Sequence, residues 1–154
     1  MTDKKSSKAP RPIIGWREWV GLPELGLGRI KAKIDTGART SALHAENIEL
    51  FELEDDELWV RFEVRPHQRS ARDGAVAEYP VYDRRVVRSS SGHEEFRVVI
   101  RPVVEVLGQR YAIELTLTNR KDMGFRMLLG RHAVRGRFLV DPAASFLGGT
   151  TPRR

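Results

Sequence analysis

From Arg29 to Asp35 the chain alternates without a break: Ile30, Ala32 and Ile34 are apolar, with Arg29, Lys31 and Lys33 charged between them. A period of two marks a strand with one face buried and the other wet. This strand runs directly into Asp35-Thr36-Gly37-Ala38. An aspartate is thus delivered at the end of a rigid element, and the glycine two residues later permits a sharp backbone turn. Thr40-Ser41-Ala42-Leu43 then restarts an extended segment. A bare Asp-Thr-Gly triplet is also an ordinary turn signal, so its meaning depends on its surroundings.

Those surroundings are β-rich. Ile48, Leu50 and Leu53 suggest one strand, and Leu58, Val60, Phe62 and Val64 alternate with Trp59, Arg61 and Glu63 in the next. The acidic run Glu54-Asp55-Asp56-Glu57 between them is expected to be a solvated hairpin tip. Residues Pro66 to Glu78 are polar with little periodicity, which predicts a loop or a mobile hairpin arm. Val81–Arg88 and Phe96–Val106 flank Ser89-Ser90-Ser91-Gly92 and predict a further hairpin. A turn at Gly108-Gln109 leads to a strand over Arg110–Leu117. One short helix is expected at Arg131–Arg135, after Gly130, and a last strand at Phe138–Val140 before Asp141-Pro142. No internal repeat or second domain is visible. The expectation is an all-β domain over residues 13–147, with a flexible basic tail at 1–12 and a flexible tail at 148–154.

Composition narrows the function classes. A chain of 154 residues, 40% hydrophobic and 31% charged, can bury one core and is not of the disordered class. With no cysteine there is no disulfide, thiolate metal site or cysteine nucleophile. Of the net charge of +6, residues 1–12 hold +3 (Lys4, Lys5, Lys8 and Arg11 against Asp3) and Arg153 with Arg154 holds +2, leaving +1 for the body. Basic ends of this kind are usually solvated, so no dedicated nucleic-acid binding is expected. No secretory signal or membrane-length apolar run is present, and cytoplasm is the default expectation.

Several chemistries lack their motifs. His44, His67, His93 and His132 form no His-Glu-x-x-His pair, there is no Gly-x-x-x-x-Gly-Lys-Ser/Thr loop, and no Gly-x-Ser-x-Gly elbow. Leu25-Gly26-Leu27-Gly28 precedes a strand, the wrong order for a phosphate loop that opens a helix. No metal or cofactor is expected.

A second motif lies downstream: Met127-Leu128-Leu129-Gly130-Arg131-His132-Ala133-Val134, an apolar run ending in glycine before the short helix. Such a run can pack directly behind an active-site loop. The two motifs, in this order and separated by hairpins, resemble the retropepsin-like aspartic peptidases. The likeness is closer to a bacterial family carrying Lys-Ala-Lys-Ile-Asp-Thr-Gly-Ala-Arg-Thr-Ser-Ala-Leu, whose members have been labelled ATP-dependent zinc proteases. Arg85-Val86-Val87-Arg88-Ser89-Ser90-Ser91-Gly92 and Phe138-Leu139-Val140-Asp141-Pro142 extend it, over residues Ile14 to Leu147. One departure is Arg39, where viral-type relatives usually carry an acid.

The resemblance implies an acid-protease barrel with a β-hairpin flap and one short helix. It also implies an aspartic endopeptidase that hydrolyses peptide bonds with water held between two carboxylates. This chain has a single motif, so the pair would be Asp35 from each subunit of a homodimer. Thr36 would brace the dyad across the symmetry axis, and Gly37 would let the loops pack together. Candidate substrate-binding residues are Ala38 and Arg39 beside Asp35-Thr36-Gly37, Ser89, Ser90, Ser91 and Gly92 at the tip of the Val87–Phe96 hairpin, the candidate flap, and Arg88 and Arg97 on its arms. Arginines aimed at one cleft would favour an acidic peptide. The family is also associated with ATP-grasp glutamate ligases, which suggests glutamate-rich protein tails as substrate and a functional link to such a ligase. The rival expectation is a noncatalytic peptide- or partner-binding module on the same fold. Oligomeric state separates the two, because a strict monomer with one such aspartate cannot form the dyad.

Overall fold

The structure, a computed structural model, describes residues 10–65, 74–88, 92–119 and 124–149. Its first elements are β1 (Ile13–Leu22), a 3-10 turn at Pro23–Leu25, β2 (Leu27–Asp35), β3 (Ser41–His44), β4 (Glu46–Glu52), β5 (Leu58–Val64) and β6 (Ala75–Pro80). There follow β7 (Asp83–Arg88), β8 (Glu94–Ile100), β9 (Val103–Val106), β10 (Gln109–Ala112), β11 (Leu115–Thr118), β12 (Met127–Gly130), helix α1 (Arg131–Val134) and β13 (Leu139–Ser145). The fold is the all-β class expected. The main sheet runs β10-β9-β1-β2-β12-β3-β11-β8-β7, with β13 also paired to β1, and β4-β5-β6 form a smaller sheet.

The alternation in β2 is realised directly, since Ile30, Ala32 and Ile34 are all buried. They share one core with Met127 and Leu129 of β12, Leu43 of β3, Leu115 and Leu117 of β11, and Ala133 and Val134 of α1. Burial of a side chain such as Ile30 or Leu129 contributes about 1.5–3 kcal/mol. Val60, Phe62 and Val64 carry the smaller sheet into the same core. Glu24, in the turn after β1, fastens that sheet from outside: its Oε1 accepts the Tyr79 hydroxyl at 2.7 Å and the Val103 amide at 2.9 Å. These bonds hold the Glu24 carboxyl below its ordinary value, the Val103 amide most of all.

The acidic run forms the expected tip. Leu53 N–H donates to the Glu57 carbonyl at 2.9 Å, Asp56 takes a left-handed φ of 64°, and residues 54–57 are exposed. Elsewhere the strands differ from expectation. β1 is not foreseen, because Trp16-Arg17-Glu18-Trp19 does not alternate cleanly and Glu18 is a carboxylate buried at 0% exposure. Residues 75–78, the end of the span expected as a loop or a mobile hairpin arm, are an arm: with 79 and 80 they pair antiparallel along β5 as β6. The expected strand over 96–106 breaks at Arg101-Pro102 into β8 and β9, where proline has no N–H for the ladder. The one over 110–117 breaks before Leu115 into β10 and β11, with the Ile113 amide bonded to Pro102 instead. β13 runs on through Asp141-Pro142, which its place as an edge strand, paired among the described residues only with β1, permits. The expected tails fall mainly outside the described residues. Among those described, no helix is long and apolar enough to cross a membrane.

Candidate active site

β2 and β3 are consecutive in the chain yet do not pair with each other. β12 lies between them, parallel to β2 with Gly130 beside Asp35, and antiparallel to β3 with Leu128 beside Ala42. The loop of residues 36–40 must therefore arch over the end of β12. Gly130 is the residue beneath it. A Cβ there would collide with the Thr40 carbonyl and stand 3.0 Å from the Ala38 carbonyl oxygen, so the close approach requires glycine.

The loop is bonded from beneath at Thr36, Ala38 and Arg39, and at Ser41 just beyond it. Gly130 N–H donates to Ser41 Oγ at 3.0 Å. From α1, the Arg131 amide donates to the Ala38 carbonyl at 2.7 Å and the His132 amide to the Arg39 carbonyl at 3.1 Å. The Arg131 guanidinium reaches the Thr36 carbonyl at 3.0 Å. Within the loop, Ala38 N–H closes a turn on the Asp35 carbonyl at 3.2 Å, and Gly37 N–H donates to Asp35 Oδ1 at 3.0 Å. Gly37 does not use a left-handed φ. Its lack of a side chain matters because a Cβ would sit 3.3 Å from Asp35 Oδ1.

Asp35 is half-buried, with Oδ1 held by the Gly37 amide. Its Oδ2 has no hydrogen-bond partner among the described residues. A carboxylate fixed in this way can accept a water proton or share a proton with a second carboxylate. Thr36, Gly37 and Arg39 are exposed and Ala38 is half-buried, so the crest of the loop is accessible.

The expected hairpin is present as β7 and β8, with Val86, Val87 and Arg88 opposite Phe96, Glu95 and Glu94. Gly92 is exposed with a φ of 89°, as a turn glycine requires. Ser89, Ser90 and Ser91 lie outside the described residues. The hairpin is separated from β12 by β3 and β11 in the sheet. Arg97 is already engaged, its Nε and Nη2 donating to Glu95 Oε1 at 3.0 and 2.9 Å. Arg85 opposite it is held by Asp83 at 2.8 Å and Glu114 at 2.9 Å. Among the described residues, no group of three or more His, Asp or Glu side chains is placed to hold a metal ion.

Sequence reasoning overlooked three residues here. Ser41 and Arg131 stand inside the two motifs, but their role in pinning the loop depends on β12 being inserted between β2 and β3. Lys33 precedes Asp35 by two positions on a strand, and the period of two would have put it on the same face.

Several known proteins are similar to this chain in structure or in sequence. A protein of unknown function from Legionella pneumophila has a similar structure, with a TM-score of 0.73 and 28% identity over 90% of this chain and 99% of that one. A probable alpha-L-glutamate ligase from Desulfotalea psychrophila is 47% identical over 138 residues, covering 90% of this chain and 30% of that protein. A second protein of that name, from Shewanella pealeana, is 50% identical over 137 residues, covering 89% and 30%. The chain thus spans about 30% of the length of these curated relatives. The family model described as retropepsin-like aspartic endopeptidase RimB matches residues 13–151, the whole span from β1 through β13, and the chain belongs to this RimB-like family.

Proposed function

We propose that the chain is an aspartic peptidase whose active form is a homodimer, each copy contributing Asp35. The observation that carries this reading is the carboxylate at the end of β2, at the base of a rigidly bonded loop, with Oδ1 held by the Gly37 amide. A two-fold axis beside the exposed residues 36 and 37 would bring two such loops together. Like charges about 3 Å apart do not both ionise readily, so the pair would share one proton. The ionised Asp35 takes a proton from water as the oxygen attacks the scissile carbonyl. The protonated Asp35 donates to the carbonyl oxygen. Collapse of the tetrahedral intermediate breaks the C–N bond, with a proton passing to the departing amine.

The β7–β8 hairpin is the candidate flap in this reading. Phe96 and Val86, paired across it, are exposed at 77% and 54%, an apolar face that bound peptide would cover. Ser89, Ser90, Ser91 and Gly92 would reach the substrate from its tip, with Arg39, Arg88 and Arg97 offering cations once Arg97 exchanges Glu95 for substrate. Acidic, glutamate-rich chain ends are the proposed substrates. Relatives named as glutamate ligases support that choice and a functional link to such a ligase.

A second reading is favoured by the same relatives: a noncatalytic module that presents peptide to a ligase. Asp35→Asn separates the two. It keeps the carbonyl oxygen that Gly37 needs while removing the acid–base pair from both subunits. Cleavage of glutamate-rich peptides should fall by on the order of 10³-fold, with thermal unfolding little changed. Sedimentation should show a dimer under the conditions of cleavage. Wild-type turnover in Asp35→Asn, or cleavage by a proven monomer, would refute the dyad. A folded wild type that binds peptide without cleaving it would favour the accessory module.

A further inference from the structure

The cations of β2 share a face with Asp35. Successive side chains on a strand alternate sides, so Lys33 projects from the same face as Asp35, about 7 Å along it. Neighbours in register continue that row across the sheet: Arg17 of β1 beside Lys33, Leu128 of β12 on its other side, then Ala42 of β3. These four residues comprise two cations and no carboxylate, and they lie one step from Asp35.

Its members differ in how they are held. Arg17 is fixed, its guanidinium 4.7 Å from the Trp16 ring and 4.9 Å from the Phe146 ring, with Nε donating to Ser145 Oγ at 3.2 Å. Lys33 is exposed, and its ammonium has no partner among the described residues. Leu128 and Ala42 are half-buried and offer a short apolar floor. Next along the β2 face, the Lys31 ammonium is 5.5 Å from the Phe125 ring. An apolar floor edged by an unpaired ammonium suits a side chain with an aliphatic stem and a terminal carboxylate.

We infer that Lys33, over the floor made by Leu128 and Ala42, is the specificity-determining residue of a subsite beside the scissile bond, selecting glutamate there. The inference rests on the peptidase reading above. It assigns the choice of side chain to a lysine of the catalytic strand rather than to the flap arginines. Glutamate is preferred to glutamine because only the carboxylate forms a charge-assisted hydrogen bond with the ammonium. Aspartate falls short by one methylene, so its carboxylate reaches Lys33 only by leaving the floor.

The test uses the full chain and peptides identical except for a central Glu-Glu, Gln-Gln, Asp-Asp or Lys-Lys pair. Wild type should favour Glu-Glu over Gln-Gln by about tenfold or more in kcat/KM, expressed mainly in KM, the worth of one charge-assisted hydrogen bond. Lys33→Met keeps the stem and should bring that ratio close to one. Lys33→Glu should turn the preference towards Lys-Lys. A Glu-to-Gln ratio that survives Lys33→Met overturns the inference. If wild type cleaves none of the peptides, the peptidase reading fails separately. Binding of the same labelled peptides to Asp35→Asn and to Asp35→Asn with Lys33→Met, read by fluorescence anisotropy, then decides the subsite. A glutamate preference that disappears with Lys33 sustains it, and equal binding of the Glu and Gln peptides by both proteins overturns it.

Discussion

The amide of Gly130 donates to the hydroxyl of Ser41 across 3.0 Å, tying the end of β12 to the first residue of β3 directly beneath the Asp35 loop. This bond and the steric fit at Gly130 make separable predictions. Gly130→Ala would drive a methyl group into the Thr40 and Ala38 carbonyls, which are backbone and cannot swing away. Overpacking of this kind costs about 1–3 kcal/mol, and here its relief must displace the Asp35 loop. Chemical denaturation should show that loss, and peptide cleavage should fall further than stability alone accounts for. Ser41→Ala leaves the buried Gly130 N–H unsatisfied without a clash, and should cost about 1–3 kcal/mol with a smaller effect on turnover.

Glu18 is a buried carboxylate with a structural task. Its Oε2 accepts from Gly15 N–H at 2.7 Å and Leu147 N–H at 2.9 Å, and its Oε1 accepts from Gly148 N–H at 3.0 Å. It thereby clips residues 147–148 onto β1. Glu18→Gln keeps the size but not the acceptors: with its oxygen at the Oε2 position, the amide nitrogen faces the Gly148 N–H. Stability should drop by about 1–3 kcal/mol, measured by denaturant unfolding. Hydrogen exchange should quicken at Leu147 and Gly148 first. An unchanged midpoint would show that the clip contributes nothing.

Two tyrosines predict behaviour at high pH. Tyr79 is raised to about 12 by burial and then by its bond to the Glu24 carboxylate. Tyr111 is raised to about 12 by burial, which outweighs the opposing effect of the Arg137 guanidinium. In the unfolded chain both ionise near about 10. Because the folded state holds these protons longer, their contribution is complete below about pH 10 and is lost as pH rises towards about 12. Ultraviolet titration should show two late tyrosinates, and Tyr111→Phe should remove one of them. Thermal stability of the wild type should decline over the same interval. Full tyrosinate absorbance near pH 10 with the fold intact would contradict this.

The proposed two-carboxylate reaction uses no metal electrophile. Peptide cleavage should therefore be unchanged after exhaustive treatment with EDTA. Activity abolished by the chelator and restored by zinc alone would replace the aspartic mechanism with a metallopeptidase one.

Much of the fold and of the candidate site can be read from local pattern. The alternation from Ile30 to Ile34 determines that β2 is a strand with one buried face, because a period of two allows no other regular structure. The same period dictates that Lys33 and Asp35 share the opposite face. The acidic tip at 54–57, the hairpin around Gly92 and the helix after Gly130 follow from short-range turn chemistry and residue size. What lies beyond reach is pairing between distant segments. Nothing within Met127–Gly130 says that these residues slide between β2 and β3, and only that insertion gives Gly130, Ser41 and Arg131 their work beneath the loop. Glu18 shows the same limit from the other side. A glutamate inside an apolar strand argues against burial until the amides of Leu147 and Gly148, some 130 residues away, are found to satisfy it. Local composition sets which residues become strands and which face is wet. The tertiary structure alone decides which strands meet, because hydrogen bonds and close contacts between remote segments are specified only when both partners are in place.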